Sequence, residues 1–294
     1  MEQARSRAVV VLADGVRPAW RTSLGAVLAA LETRSELEAS GRTVDRTDRL
    51  EDVLLAESQK QAMRLVVCLG PGCDEAVFTV APVEPGVRFV AVPGAHGERN
   101  VVGVSFAENE AAYVAGAVAG AMGGGRPVVL VDGPGCSGEI RDALEHGLRS
   151  RARRASVEAV HRAAALAGNG WEAGAAMAVL CPGPGNRELV RTLVGTETLV
   201  VAFDPATVEG TDGLRCAVIE EDLPEALVRV AVDVLERDVT GKAYLFDLGS
   251  GVVRFRFCEG TAERLNPEAL EAAQEARDEV TAGIAEIEVL DLHR

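Results

Sequence analysis

The sequence predicts an α/β fold with parallel sheets, and three observations carry that expectation. Short apolar runs rich in Val, Ala and Leu alternate with helix-length stretches along most of the chain. Most of those runs are continuous rather than alternating, as strands covered by helices on both faces are. Several of them end in a tight polar turn containing Gly or Pro, followed by a helix start. Strand, turn and helix in repetition imply right-handed crossovers within a parallel sheet.

The strands are expected at Ala8–Ala13, Leu65–Leu69, Val87–Val92, Val101–Val104, Pro127–Val131, Ala175–Cys181, Thr198–Phe203 and Arg215–Ile219. Helices are expected at Ala19–Leu31, Leu50–Met63, Ala107–Met122, Gly138–Ser150, Arg187–Val194 and Leu223–Glu236. Lys242–Gly260 reads as two strands around a Gly-Ser-Gly turn, hence a hairpin. A last helix follows, with Asn266 as N-cap, Pro267 at its first position and Glu268 at the positive dipole end.

The stretch Ser105–Gly120, SFAENEAAYVAGAVAG, is unusual for its small side chains. Ser105 and Glu108 have capping-box spacing. Ala112, Ala115, Gly116, Ala119 and Gly120 recur at helical spacing and leave one face nearly flat. Such a face lets a helix lie close against a neighbour, with Tyr113 as a separate anchor. The role expected for it is architectural.

The chain has 294 residues and a net charge of −15. The acidic balance argues against nucleic acid as a partner, because that contact needs a basic face. No run of about 18 apolar residues exists to span a membrane. The N-terminal apolar run is too short for a secretory signal, so the chain as written reads as cytoplasmic; a trimmed leader would make it extracytoplasmic and lipid-anchored. The six cysteines lie in or beside strand-like runs. They read as buried free thiols in a reducing compartment. The four histidines have no ligand spacing, and neither a phosphate-binding loop nor a serine elbow is present. No metal, cofactor or catalysis is therefore expected. Cys136, before a helix start, is the one residue with an enzymatic look, and no partner is assignable to it.

Candidate binding residues come from the turns. In a parallel sheet these sit at the carboxyl ends of the strands, where α/β proteins bind ligands. Gly lets backbone approach a ligand, and helix N-termini present free N–H groups there. The set is Asp14 in ADGVRP, Gly70 in GPGCDE, Asp132 and Gly133 in DGPGCSGE, Gly183 and Asn186 in CPGPGNRE, and Asp204 in FDPATVEG.

Arg99–Met122 resembles the signature of the basic membrane protein family, through Asn100, Val101, Phe106, Glu110, Tyr113, Gly116 and Gly120. The order of the later segments, VVLVDG, MAVLCPGPGN, VVAFDPATVEG and AYLFDLGSGVVRFRF, agrees as well. Members of that family are substrate-binding lipoproteins, several of which bind purine nucleosides for ABC importers. The resemblance implies a type I periplasmic-binding-protein fold, with two Rossmann-like lobes and a ligand cleft between them. Lobe one would comprise 1–122 and 223–294, lobe two 127–219, with hinges near 123–126 and 220–223. The ligand would be a purine nucleoside or a related polar metabolite bound by hinge closure, and the partner an ABC importer permease. Trp20 stands where the family places an aromatic, and Asp204 matches its ribose-binding Asp. Other positions depart: Arg21 replaces an expected Asn, Glu220 or Glu221 stands where a Lys is usual, and DGPGCSGE replaces a Gly-Gly-Met-Asp-like loop. Those departures, with the absent leader, leave as alternative a regulatory or interaction protein that kept the fold and lost transport.

Overall fold

Continuous apolar runs fold here as central strands because both of their faces are covered. The computed structural model describes residues 6–35, 37–46, 49–94, 99–123, 126–133, 137–161, 164–165, 174–183, 185–239, 241–285 and 287. They form two units, one within Met1–Phe106 and Asp222–Phe246, the other within Ala107–Glu221 and Asp247–Leu290.

The first unit is built on strands β1 (Arg7–Leu12), β2 (Glu38–Thr43), β3 (Met63–Leu69), β4 (Arg88–Val92), β5 (Val101–Phe106) and β11 (Ala243–Phe246). Their order is β11-β5-β4-β3-β1-β2, and every neighbouring pair is parallel. Val9, Val11, Val66, Cys68, Phe89 and Ala91 form one buried cluster with residues of α2 (Leu50–Ser58) and α3 (Cys73–Val80). Residues between them in sequence, such as Val10, Leu12, Val67 and Val90, are buried too. Helices α1 (Pro18–Ser35) and α7 (Leu223–Glu236) pack together, with Arg34 Nη1 2.7 Å from Glu225 Oε2.

The second unit repeats the plan. Its strands are β6 (Val128–Val131), β7 (Val157–Val160), β8 (Met177–Leu180), β9 (Leu199–Ala202), β10 (Arg215–Glu221) and β12 (Val253–Phe257), in the order β12-β10-β9-β8-β6-β7. All pairs are parallel except β10 with β12. The helices are α4 (Glu108–Ala121), α5 (Gly138–Arg151), α6 (Asn186–Leu193) and α8 (Pro267–Thr281).

Several expectations are corrected. The tail is not a hairpin: β11 pairs with β5 in the first sheet and β12 with β10 in the second. The Asp247–Val252 turn therefore links two sheets, and the chain passes between units at 106/107, 221/222 and 246/247. The passage at 221/222 falls within the expected 220–223, whereas the one at 106/107 precedes the expected 123–126 and groups helix α4 with the second unit. The Ser105–Glu108 capping box does not form, because Ala107 is the N-cap and the Ser105 hydroxyl donates to the Gly94 carbonyl at 3.0 Å. The cysteines are not all free: Cys68, at the end of β3, is disulfide-bonded to Cys73, at the start of α3, and Cys181 is disulfide-bonded as well. The turn between β3 and α3 brings the first pair to a Cα–Cα distance of 5.5 Å. Asn266 caps α8 as expected, accepting from the Ala269 amide at 3.3 Å. Among the described residues no helix is long and apolar enough to cross a membrane.

Candidate functional site

The strand orders locate the candidate turns. In the first sheet β2 and β3 flank β1, so the direction of winding reverses between β1 and β3. In the second, β7 and β8 flank β6, and the reversal falls between β6 and β8. Connections leave such neighbouring strands for opposite faces and open a crevice at their carboxyl ends, the usual ligand position of α/β sheets.

At the first reversal the turn after β1 meets the turn after β3. Gly70 has φ 120°, and a Cβ there would lie 3.2 Å from the Val16 Cβ and 3.3 Å from the Ala13 Cβ. A side chain would separate the two turns, so glycine is required for their contact. Asp14 is exposed beside them. Trp20 lies in the first turn of α1 and is only 3% exposed. Its ring centroid is 5.9 Å from that of Phe106, and the Arg17 guanidinium sits 5.1 Å from it, a cation–π contact. Phe106 ends β5 and stacks on Phe246, which ends β11, at 6.1 Å. The carboxyl edge of the first sheet thus carries an aromatic row, of which Phe106 is half-exposed. The sequence did not show this row: the strand expected there ends at Val104, whereas β5 runs on to Phe106.

At the second reversal Asp132 and Gly133 follow β6 and are half-buried, and the Asp132 amide donates to the Val160 carbonyl at 3.2 Å. Gly183 and Asn186 follow the neighbouring β8, and Asp204 follows β9, the next strand across. The structure therefore brings these five residues to the carboxyl ends of three adjacent strands. Part of their polarity is used locally. Asn186 is buried and its Nδ2 donates to the Cys181 carbonyl at 3.0 Å, which ties the start of α6 to the end of β8. Asp204 caps its own 3-10 turn, its Oδ1 accepting from the Ala206 amide at 2.9 Å. Cys136 lies outside the described residues. Glu220 is bound by the Arg256 guanidinium, whose Nε and Nη2 donate to its two carboxylate oxygens at 3.3 and 3.1 Å.

The remaining signature residues hold the scaffold. Asn100 Nδ2 lies within 2.9–3.1 Å of the carbonyls of Ala81, Glu84 and Val87. Glu110 accepts the Leu248 amide at 2.9 Å, and burial, the leading cause, raises its carboxyl above the usual range. The Tyr113 hydroxyl donates to Glu279 at 2.9 Å, and Arg151 holds Glu275 and Glu279, each at 3.1 Å. Gly116 faces the Leu144 carbonyl and Gly147 the Tyr113 carbonyl, so α4 and α5 touch backbone to backbone. A polar cavity of about 400 Å³ beside Tyr113, His146, Arg151 and Glu279 belongs to this helical layer, away from the strand-end turns.

Residues 14–147 match the family model Bmp, described as ABC transporter substrate-binding protein PnrA-like. That segment is similar to the Bmp family. It contains the Asn100–Gly120 block and three of the four candidate turns nearest the two reversals. Likeness to solved structures extends over nearly the whole chain. An ABC transporter solute-binding protein of Aeropyrum pernix K1 is 13% identical with a TM-score of 0.74, covering 95% of this chain and 92% of its own. A structure described as a transcriptional activator of the comK gene, from Bacillus halodurans, is 15% identical with a TM-score of 0.77, covering 95% and 99%. An ABC transporter solute-binding protein of Conexibacter woesei is 17% identical with a TM-score of 0.69, covering 96% and 98%. At these identities the likeness shows the fold, which is the type I periplasmic-binding-protein fold. None of the curated proteins matches the chain.

Proposed function

We propose that the chain is a non-enzymatic binding protein for a small polar molecule, with its strand-end turns as contact surfaces. The observation that carries this reading is the coincidence of candidate residues with chain reversals: Asp14 and Gly70 flank one, and Asp132, Gly133, Gly183 and Asn186 the other. Backbone amides at these turns and the carboxylates of Asp14, Asp132 and Asp204 suit a ligand rich in hydroxyls. The aromatic row at Phe106 and Trp20 suits a flat ring. Together they favour a nucleoside, purine nucleosides being the first to try. Arg17 covers the Trp20 ring, so a base would stack on the half-exposed Phe106 or displace the guanidinium. Ligand capture would follow the hinge closure of the fold class, and the partner would be an ABC importer permease. The Cys68–Cys73 disulfide favours an oxidising, extracytoplasmic setting over the cytoplasm.

A ligand that binds only the folded state raises Tm. Thermal unfolding with a panel of purine and pyrimidine nucleosides tests this proposal: at least one should raise Tm, and Phe106→Ala should remove the rise. No rise with any nucleoside at millimolar concentration overturns the nucleoside assignment. The regulatory alternative draws on the fold shared with the structure described as a comK activator and on Glu220 being committed to Arg256. A protein that binds none of the panel but retains a macromolecular partner would favour it.

A further inference from the structure

Cys216 and Cys258 stand opposite one another on the antiparallel pair β10 and β12. The register pairs Ala217 with Phe257, so Cys216 and Cys258 are the next rung. The Cys258 amide donates to the Cys216 carbonyl at 2.9 Å, and the Cys216 amide donates to Thr261 Oγ1 at 3.1 Å. Directly opposed residues point their side chains to the same face. Cys258 packs against the core cluster that contains Cys216. Hydrogen-bonded antiparallel pairs have Cα atoms about 5.5 Å apart. That lies inside the roughly 4.4–6.8 Å span of a disulfide. Cys216 is buried and Cys258 is partly exposed, so a small reagent can reach one sulfur of the pair. The hydrogen bond between the thiols is the leading influence that favours the Cys216 thiolate, helped by Thr261 and by the Arg256 and Arg264 charges; the same contact, with burial, pushes the Cys258 thiol up.

We propose that Cys216 and Cys258 are a cross-strand modification site, oxidised to a disulfide by a low-molecular-weight disulfide. Cys258, the more exposed residue, passes the proton of the thiol–thiol hydrogen bond to Cys216 and attacks one sulfur of the reagent. The reagent's S–S bond breaks, one thiolate leaves and takes up a proton, and a mixed disulfide remains on Cys258. Cys216 gives that proton up, and its thiolate then attacks the Cys258 sulfur and expels the second thiolate, which is also protonated. Two electrons pass from the protein dithiol to the reagent, which becomes two thiols. The new bond clips β12 to β10, fastening the segment that enters the second unit after Phe246 to the strand that leads out of it. The clip is independent of ligand identity.

The test uses the full chain, reduced with dithiothreitol, freed of reductant and incubated with oxidised glutathione. Tryptic cleavage places the two residues in separate peptides, Cys216–Arg229 and Phe257–Arg264, each with a single cysteine. Mass spectrometry without reduction should find these peptides joined, two hydrogens lighter than their sum, and separated again by reductant. Oxidation should also raise Tm by several degrees more in the wild type than in Cys258→Ser, because a cross-link restricts the unfolded chain. Circular dichroism confirms that the variant is folded. Recovery of both peptides singly with both thiols alkylated, or a stable glutathione adduct on Cys258 with Cys216 free, overturns the proposal.

Discussion

The helical layer of the second unit and the strand-end turns use glycine for opposite purposes. In the layer, Gly116 and Gly147 remove side chains so that α4 and α5 meet backbone to backbone, and nearly every residue of α4 is buried. In the turns, glycines leave main-chain groups at the carboxyl ends of strands, beside carboxylates that remain partly exposed. The most recognisable segment of the sequence is therefore the one whose contacts are internal. The turns carry the polar groups that remain open to solvent. A binding scaffold can keep its packing and vary its ligand when the two tasks are separated in this way.

The comparison breaks most visibly at the glycines. Gly116→Ala or Gly147→Ala would place a methyl group on a carbonyl oxygen of the facing helix, and backbone cannot yield as a side chain does. Each should cost at least about 3 kcal/mol, read as a lower denaturation midpoint. Gly138→Ala, where a Cβ meets nothing within 4 Å, should change stability by no more than about 1 kcal/mol. Equal effects at Gly116 and Gly138 would refute the close-contact account.

Next in size is the Glu110 contact. Glu110→Ala leaves the Leu248 amide without its acceptor, at a cost of about 1–3 kcal/mol. Glu110→Gln keeps an acceptor and should stay within about 1 kcal/mol of wild type. The pH dependence tests the carboxyl itself. A carboxyl raised by burial gives its stability while protonated, and that stability is lost as pH rises through the folded value. The Gln variant should lack this part of the pH dependence in chemical denaturation.

In the turns, Asn186→Ala should cost about 1 kcal/mol through the lost bond to the Cys181 carbonyl. A loss as large as that at Gly116 would mean that the turn is scaffold after all. The smallest expected effect is alkaline. The chain has two tyrosines, and both phenols are raised, chiefly by burial, Tyr244 to about 12. Their stabilising effect is present below the ordinary phenol value of 10.0 and lost as pH rises, for Tyr244 through about 12. Tyr244→Phe should flatten the decline of stability in that window.

The sequence made the buried architecture legible because continuous apolar runs have few alternatives to parallel strands. It hid β2, EASGRT, an edge strand with little apolar surface, and β7, VEAV, also at an edge. Local pattern made Lys242–Gly260 look like a hairpin, whereas which sheet a strand joins is decided by distant partners. The Cys68–Cys73 bond was not legible because scattered cysteines in apolar runs read as buried free thiols of a reducing compartment rather than as a disulfide framework. The turns were found from Gly and Pro placement, and the strand order then gave a reason to pair them. The aromatic row needed three dimensions, since Trp20, Phe106 and Phe246 meet only when β5 and β11 lie side by side.

The central claim is that the turns hold a small molecule. Native mass spectrometry of the full chain, incubated with a mixture of nucleosides, sugars and amino acids, tests it most directly. The account predicts one-to-one retention of a hydroxyl-rich component, foremost a nucleoside, with the retained fraction sharply reduced in Asp132→Ala and Phe106→Ala. Retention of nothing, or retention unchanged by both substitutions, would contradict it.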